Sequence, residues 1–407
     1  MSVTSRRRPP TLTTQVSEAV LGWFDERVPL RRLLARVLSD PVPKEFAWLY
    51  TFGGVILYLF AIQIVTGIML TLHYIPSWND AYNSIQFIDH TILLGNLMRG
   101  IHYWNAYMIL FVIGIHMGRT FFCGCYKKPR ELTWILGVLL FVLMVAVAYT
   151  GACLRMDQAG YWTYMVGWHI AGWTPFMGEW VKRMWLGSDH FGPASLTRDF
   201  AIHIWLLPAA LIAIAGIHVL LVVIQGQYGS WLNYRRDPRD RVAAALDMPE
   251  GDERESYLKA LDEASDPKSY KREVPDSTDY FFPEHSFREF TMTLLFFIPV
   301  YALALFVPPA LEARADPATI SYVPLPEWFM LPADQVLPYL PGPLIVLIPV
   351  VFGVFVLALL AVPFLDRGPE TNLFKRPAAI AGGVLLPLVV FILTLLAVYR
   401  IENFVLH

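Results

Sequence analysis

Long stretches without a charged residue alternate with short charged connections along the chain. A charge at the centre of a bilayer costs about 2.5 to 3.5 kcal/mol on insertion scales, and a spanning helix needs about 20 apolar residues. Seven stretches meet this requirement: 47–73, 97–120, 132–154, 199–224, 290–311, 342–364 and 377–399. The pattern predicts an all-α integral membrane protein in which a four-helix bundle is followed by three further transmembrane helices, seven in total.

An eighth charge-free stretch, 158–178, has a different composition. It holds four glycines, one proline, three tryptophans and two tyrosines, a mixture typical of the membrane interface. Counting it as a span would put the later basic connections on the side opposite the basic N-terminus, against the positive-inside rule. We therefore predict that it lies on the membrane surface. The same rule predicts a cytoplasmic N-terminus, and we expect a bacterial inner membrane.

The spans and connections predict four regions. Residues 1–46 form a cytoplasmic-side segment, in which the apolar residues of 16–38 recur as in a helix that lies on a membrane surface. Residues 47–228 hold the first four spans and 229–286 form a soluble, highly charged connection. Residues 287–407 hold the last three spans.

Composition agrees with a membrane protein and excludes other classes. The 407 residues are 56% hydrophobic and 16% charged, and the mean hydropathy is +0.46, well outside the range of soluble domains. A net charge of -2 gives no reason to expect nucleic-acid binding. The three cysteines, Cys123, Cys125 and Cys153, are too few for a disulfide framework.

Four histidines recur at helical spacing within two predicted spans. His102 and His116 are fourteen residues apart, which is four turns less about 40°, so they share a helix face at about 21 Å along the axis. His203 and His218 are fifteen residues apart in the fourth span. Two such helices would place one pair of imidazoles near each membrane surface. We call His102 with His203 the outer pair, and His116 with His218 the inner pair.

These two pairs predict two b-type haems. A structural zinc site needs four ligands at one depth, whereas a porphyrin iron takes two axial ligands from opposite sides. A single histidine in a membrane helix more often hydrogen-bonds to a neighbouring helix, but two pairs at matching depths favour axial ligation. The sequence contains no CxxCH motif, so covalent c-type attachment is not expected.

Glycines and arginines near the histidines support the same interpretation. Two glycine pairs, each fourteen residues apart, would leave room for a flat cofactor, although membrane helices are generally rich in glycine. Three arginines stand where haem propionates would emerge, although snorkelling to the interface is an alternative role. The glycines are Gly53, Gly67, Gly137 and Gly151, and the arginines are Arg99, Arg119 and Arg198.

The segment VPLPEWFMLP, residues 323–332, places one acidic residue among prolines and aromatic residues after the fifth span. Glu327 is positioned to accept a proton from a hydroquinone at the outer membrane surface. Taken alone, the residue is also compatible with a solvated loop carboxylate.

The motifs together resemble cytochrome b of the quinol:cytochrome c/plastocyanin oxidoreductases, the bc1 and b6f complexes. PEWF is similar to the PEWY signature of the family, and the resemblance places Pro326, Glu327, Trp328 and Phe329 in the quinol-oxidising pocket. KKPRELTW, DQAGYW and SLTR resemble the photosynthetic b6 type. In that type the four-helix and three-helix halves are separate polypeptides, whereas here they are fused.

Three departures from the family motifs change the expectations. Thr51 in YTFGG replaces the cysteine of the b6 type, so we do not expect the extra covalent haem. Arg155 in LRM adds a cation near the quinol pocket, and Phe329 lacks the hydroxyl of the family tyrosine.

PEHSFREF, residues 283–290, resembles the mitochondrial-type inner quinone site and puts Arg288 and Glu289 there.

The resemblance implies a Q cycle. Quinol oxidised near Glu327 would send one electron to a Rieske iron–sulfur protein and the other through the outer and inner haems to quinone near Glu289. The sequence has no Rieske motif, so a Rieske protein and a c-type cytochrome are expected as partner chains, in a homodimeric complex. Two alternatives are a di-haem subunit that only anchors a dehydrogenase, and a carrier with histidines at the bilayer midplane.

Overall fold

The structure is a computed structural model that describes residues 22–23, 26–27, 41–43, 47–187, 191–225, 278–319, 322, 326–340, 342–368 and 370–405. Most of the predicted surface helix at 16–38 and of the connection at 229–286 lies outside these residues. Two three-residue strands, β1 (Pro41–Pro43) and β2 (Thr278–Tyr280), pair antiparallel. The hydrophobic pattern did not predict them.

Helices account for most of the described residues. The α-helices in chain order are α1 (Phe52–Thr71), α2 (Ala81–His90), α3 (Gly95–Phe122), α4 (Glu131–Cys153), α5 (Gln158–Gly172), α6 (Gly178–Leu186), α7 (Pro193–Ala201, continued by a π turn at Ile202–Leu206 and by Leu207–Gln225), α8 (Ser286–Phe306), α9 (Leu331–Val336), α10 (Leu347–Leu365) and α11 (Pro377–Val405). Short 3-10 turns lie at Ala47–Tyr50, Trp328–Met330, Leu337–Tyr339, Gly342–Val346 and Leu373–Lys375, and a π turn at Phe281–His285 precedes α8.

Six of these helices are long and apolar enough to cross a membrane, and they coincide with six of the seven predicted spans. The remaining prediction, 97–120, lies within α3, which has 28 residues. Histidine, asparagine and aromatic residues make α3 less apolar than the other six. The stretch 158–178 forms α5 and the start of α6. With 15 residues, α5 is shorter than the roughly 20 residues that a span needs.

The outward faces of the long helices are apolar. Phe306, Val351 and Leu385 are among many large hydrophobic side chains that lie exposed on the helix surfaces. In water, so large an apolar surface favours aggregation, whereas in a bilayer the lipid is the solvent for it. The chain is therefore an all-α integral membrane protein.

The chain divides into two compact units. The first comprises Met1–Ala47 and Tyr234–Arg288 and contains the β1–β2 pair and the buried side chain of His285. The second comprises Trp48–Asn233 and Glu289–His407 and contains the bundle. The division into four regions that the sequence suggested stays a prediction.

The core of the second unit lies between α1, α3, α4 and α7. Each helix contributes buried apolar side chains to one cluster, among them Leu59, Ile109, Met144 and Leu211 in that order of helices. Ile109 stands midway along α3 between the two predicted ligands of that helix. An apolar layer therefore separates the outer and inner histidine levels.

The last helices are held against the first four by specific contacts within the second unit. A Cβ on Gly100 of α3 would lie 3.0 Å from the Cβ of Ala304 on α8, so the glycine permits these helices to approach closely. The indole of Trp134 on α4 donates to the Leu359 carbonyl of α10 at 2.6 Å. Past the end of α10, Asp366 accepts a hydrogen bond from Lys127 at 2.8 Å. These contacts join the two halves that the sequence distinguished.

Candidate haem and quinol sites

Two imidazoles from different helices face each other inside the bundle. His102 lies on α3 and His203 in the π turn of α7, and their ring centroids are 6.4 Å apart. The Nδ1 atom of each ring lies 3.0 Å from a threonine hydroxyl, Thr66 for His102 and Thr150 for His203. A ring that donates from Nδ1 presents Nε2 as its metal-binding nitrogen.

The geometry of the outer pair fits a metal bound from both sides. Metal–imidazole bonds of about 2 Å, with roughly 1.1 Å from each nitrogen to its ring centre, predict about 6 Å between centroids. Within the described parts of the chain, no group of three or more His, Cys, Asp or Glu side chains could hold a metal ion. The donors therefore come as a pair, which suits an iron whose other ligands are supplied by a porphyrin.

Each of the four predicted glycines lies against one predicted histidine. A Cβ built on the glycine would meet the Cε1 atom of that imidazole at 3.1 Å for Gly67 and His102, 2.7 Å for Gly151 and His203, 3.5 Å for Gly53 and His116, and 3.4 Å for Gly137 and His218. The lack of a side chain lets each ring approach α1 or α4 closely. The inner pair thus stands in the same relation to these helices as the outer pair.

A polar network beside the outer pair links α1 and α3. Asn105 is fully buried and donates to the Leu59 carbonyl at 2.8 Å and to Gln63 Oε1 at 2.9 Å. Gln63 in turn donates to the backbone carbonyl of His102 at 3.0 Å. Hydrogen bonds of this kind are directional, so the network fixes how α1 and α3 are rotated against each other.

The three predicted arginines all have protein partners. An ion pair or hydrogen bond holds two of them, and the third stacks on an aromatic ring. The partners are Asp89 for Arg99 (2.6 Å), the Met184 carbonyl for Arg198 (3.2 Å) and the Tyr50 ring for Arg119 (4.0 Å to the ring centroid). Their role at haem propionates stays a prediction.

Two cysteines flank Gly124 immediately after α3. A hydrogen bond from Cys123, together with the charges of Arg119 and Arg130, lowers the pKa of Cys125 to about 6, although burial opposes its ionisation. Cys125 is therefore largely a thiolate at neutral pH.

Glu327 lies in a pocket between α3, the end of α4 and its own loop. Its carboxylate accepts a hydrogen bond from the Tyr107 hydroxyl and lies 3.6 Å from the guanidinium of Arg155. The Tyr107 ring centroid is 6.3 Å from that of Trp328 and 6.5 Å from that of Phe329. The structure thus brings together the residues that the sequence assigned to the quinol pocket, and Pro326 immediately precedes them.

Arg155 stands between two carboxylates. Asp157 approaches it at 3.7 Å and is fully buried, where it also accepts the backbone N–H groups of Gly160 at 2.8 Å and Glu312 at 3.1 Å. Burial by itself would lower the pKa of Arg155, but Asp157 and Glu327 raise it above its ordinary value. The pocket therefore keeps a permanent positive charge beside Glu327.

The two residues predicted for the inner quinone site are consecutive in α8. Arg288 belongs to the first unit, where it forms an ion pair with Asp279. Glu289 belongs to the second unit, is buried, and has its carboxylate against Gly54 of α1. Their part in quinone reduction stays a prediction.

Three residues of these sites were missed in the sequence. Thr66 and Thr150 each precede one of the paired glycines, so a Thr–Gly dipeptide that recurs in the first and third spans was a usable signal. Tyr107 carried no comparable signal, because its partner Glu327 is 220 residues away in the chain.

The fold defines an integral membrane protein of the helical-bundle type, and the facing imidazoles of His102 and His203 suit a haem iron. A family profile described as Cytochrome b/b6/petB matches residues 37–226. The menaquinol:cytochrome c reductase cytochrome b subunit of Bacillus subtilis (strain 168) is 35% identical over 218 residues, which are 52% of this chain and 97% of that protein.

Two comparisons extend the match to both halves of the chain. The cytochrome b/c1 protein of Bradyrhizobium diazoefficiens is 29% identical over 372 residues, 90% of this chain and 48% of that protein. A solved structure described as a hyperthermophilic respiratory Complex III superposes with a TM-score of 0.74 at 26% identity, covering 93% of this chain and 91% of that chain. The chain belongs to the cytochrome b/b6 family, in which b-type haem is bound.

Proposed function

We propose that the chain is the cytochrome b subunit of a bc-type complex that oxidises quinol and reduces a c-type cytochrome. The observation that carries the proposal is the pocket in which Tyr107 and Arg155 hold Glu327. Tyr107 follows the outer-pair residue His102 on α3 by five residues, so the partner of the acid and a residue of the proposed haem site share one helix. The names of the relatives, menaquinol:cytochrome c reductase and respiratory Complex III, support the same activity.

In this proposal His102 and His203 hold the outer haem, and His116 and His218 hold the inner one. Bound haem supplies reversible one-electron chemistry, and two haems at these levels supply an electron path across the bilayer. Thr66 orients the His102 ring through Nδ1. Gly53, Gly67, Gly137 and Gly151 give the four imidazoles room to sit against α1 and α4.

Glu327 is proposed to accept a proton from the quinol hydroxyl. The guanidinium of Arg155 lies 3.6 Å from the carboxylate and, with the Tyr107 hydroxyl, holds it in the pocket where a general base must reach the quinol. Trp328, Phe329 and Tyr107 place aromatic rings beside the acid, which suit a flat quinol ring. Quinone is proposed to be reduced on the opposite side near Glu289, and the two reactions together translocate protons by a Q cycle.

The partners proposed are a Rieske iron–sulfur protein and a c-type cytochrome, in a homodimeric complex embedded in a bacterial inner membrane with the N-terminus of this chain in the cytoplasm. The names of the relatives support a multisubunit complex, and the positive-inside rule supports the orientation.

Two measurements on the purified complex test the function. A reduced-minus-oxidised visible spectrum is expected to show two b-haem components, and quinol is expected to reduce them. Glu327→Gln is expected to slow quinol oxidation by at least about 100-fold, whereas Glu179→Gln, the same change at an exposed carboxylate on α6, leaves the rate unchanged. A single haem component, or full quinol oxidation by Glu327→Gln, would contradict the proposal.

A further inference from the structure

A buried carboxylate near the quinol pocket is not used by the function proposed above. Asp199 lies in the first part of α7 with no exposed surface, and neither of its oxygens has a hydrogen-bond partner among the residues that the structure describes. The indole N–H of Trp185 on α6 faces the carboxylate but does not form a hydrogen bond with it. Buried carboxylates are normally satisfied by protein groups or by water.

Further polar atoms without partners lie in the same region. The hydroxyl of Tyr164 and the indole nitrogens of Trp168 and Trp185 are buried, and none finds a partner within the described part of the chain. Tyr164 and Trp168 form one buried cluster with Tyr149 and Cys153, and Trp185 packs against it. An internal water needs two to four polar partners, and these donors together with the two Asp199 oxygens provide them.

The cluster adjoins the quinol pocket. Met330, three residues after Glu327, packs against it. The thiol of Cys153, at the end of α4, experiences the charges of Asp199, Arg155 and Glu327. The cluster that contains Tyr164 and Trp168 therefore connects the surroundings of Asp199 with the loop that carries Glu327.

The groups that face Asp199 come from every neighbouring element. Three tyrosine hydroxyls and one thiol lie close enough to experience a charge on Asp199. The neighbouring arginine in the chain is exposed. These groups are Tyr74 after α1, Tyr149 and Cys153 on α4, Tyr164 on α5 and Arg198 on α7. Arg198 is the member of this set with a permanent charge, and its exposure marks the side on which the cluster approaches solvent.

We propose that Asp199, with internal waters bound by Tyr164 and Trp185, receives the proton that Glu327 takes from quinol and passes it to the outer surface. The inference rests on the function proposed above. Glu327 loses the proton and becomes a carboxylate again, and a proton moves along the internal waters to the carboxyl group of Asp199. Asp199 then gives the proton to water, so no electron moves and both acids return to their starting states.

The test uses the complete complex and the isosteric variant Asp199→Asn. Quinol oxidation is expected to slow at least tenfold and to show a larger solvent deuterium isotope effect, with an unchanged haem spectrum. Asp199→Glu, which keeps the acid, is expected to restore most of the rate. Asp316→Asn, the same change at an exposed loop residue, serves as the control and is expected to behave like the parent protein.

Infrared difference spectra during quinol oxidation give a readout other than rate. A transient change in carboxylic-acid absorption during turnover is expected in the parent protein and is expected to be missing in Asp199→Asn. If Asp199→Asn is not assembled with haem, Tyr164→Phe replaces it and is expected to slow the reaction about threefold. A parent-like rate and absorption change in the assembled variant would overturn the proposed proton transfer through Asp199, which we call the relay.

The relay and the proposed function fail in different ways. If Glu327→Gln stops quinol oxidation while Asp199→Asn has parent-like rate and spectra, the relay is wrong and the function stands. If Glu327→Gln is as active as the parent protein, the proposed quinol site is wrong, and the relay, which depends on that site, is wrong as well.

Discussion

Substituting alanine for each of the four paired glycines should separate the outer from the inner haem site. The methyl group added by Gly151→Ala would stand 2.7 Å from His203 Cε1, and that added by Gly67→Ala 3.1 Å from the facing ring. At Gly137 and Gly53 the corresponding distances are 3.4 and 3.5 Å. Carbon atoms pack best at about 3.5 to 4.0 Å, so the two outer positions are overfilled and the two inner ones accept a methyl group.

The free-energy cost of Gly151→Ala follows from how far the His203 ring must move to avoid the added methyl group. The His203 ring would have to withdraw by roughly 0.8 Å to restore an ordinary contact, yet Thr150 holds its Nδ1 atom at 3.0 Å. Overpacking of this kind costs about 1 to 3 kcal/mol, which corresponds to about 5- to 150-fold weaker retention of the haem. Gly67→Ala should cost less, because its contact is longer by 0.4 Å (3.1 against 2.7 Å).

The assay is the haem-to-protein ratio of each purified variant, together with its reduced-minus-oxidised spectrum. Gly151→Ala is expected to lose the outer component first and Gly67→Ala to lose part of it, while Gly53→Ala and Gly137→Ala keep both components. Equal losses at all four positions, or loss of the inner component alone, would refute the assignment of each glycine to its imidazole.

Three further predictions concern the same sites. Thr150→Val removes the hydroxyl that lies 3.0 Å from His203 Nδ1, a hydrogen bond worth about 0.5 to 1.5 kcal/mol, so haem content should fall while Thr150→Ser keeps it; equal content in both would contradict this. Arg155→Leu removes the cation beside Glu327 and should slow quinol oxidation at least about tenfold, with Arg155→Lys partly active, and a parent-like rate in Arg155→Leu would argue against the role. The hydrogen bond from Cys123 lowers the pKa of Cys125 to about 6, so the thiolate fraction of Cys125 should rise roughly tenfold from pH 5 to pH 7. The rate at which iodoacetamide labels Cys125, measured by mass spectrometry, should rise by the same factor. A labelling rate that does not change with pH would contradict the thiolate.

Much of the fold was predictable because the cost of burying charge in lipid is a local property of the chain. Six predicted spans coincide with long apolar helices, and the stretch 158–178 was correctly set apart from them. The span at 97–120 was found by its lack of charge and not by its hydropathy, since α3 carries the polar side chains of His102, Asn105 and His116. The β1–β2 pair was not predictable, because three-residue strands leave no periodic signal.

The histidine pairs were visible in the sequence because helical geometry converts a spacing of fourteen or fifteen residues into a shared face. Their partners were not visible. That Thr66 meets His102, that Tyr107 meets Glu327 and that Trp185 faces Asp199 all depend on how each helix is rotated about its axis.

The sequence by itself determined where most of the long apolar helices lie, the spacing of the imidazoles along two of the predicted spans and which loop carries the acid. Tertiary structure alone decided which side chains meet. The physical reason is that these helices are apolar on nearly all sides, so hydropathy marks no inward face on them. Their rotation is set by close packing at glycines and by a few buried hydrogen bonds between residues far apart in the chain.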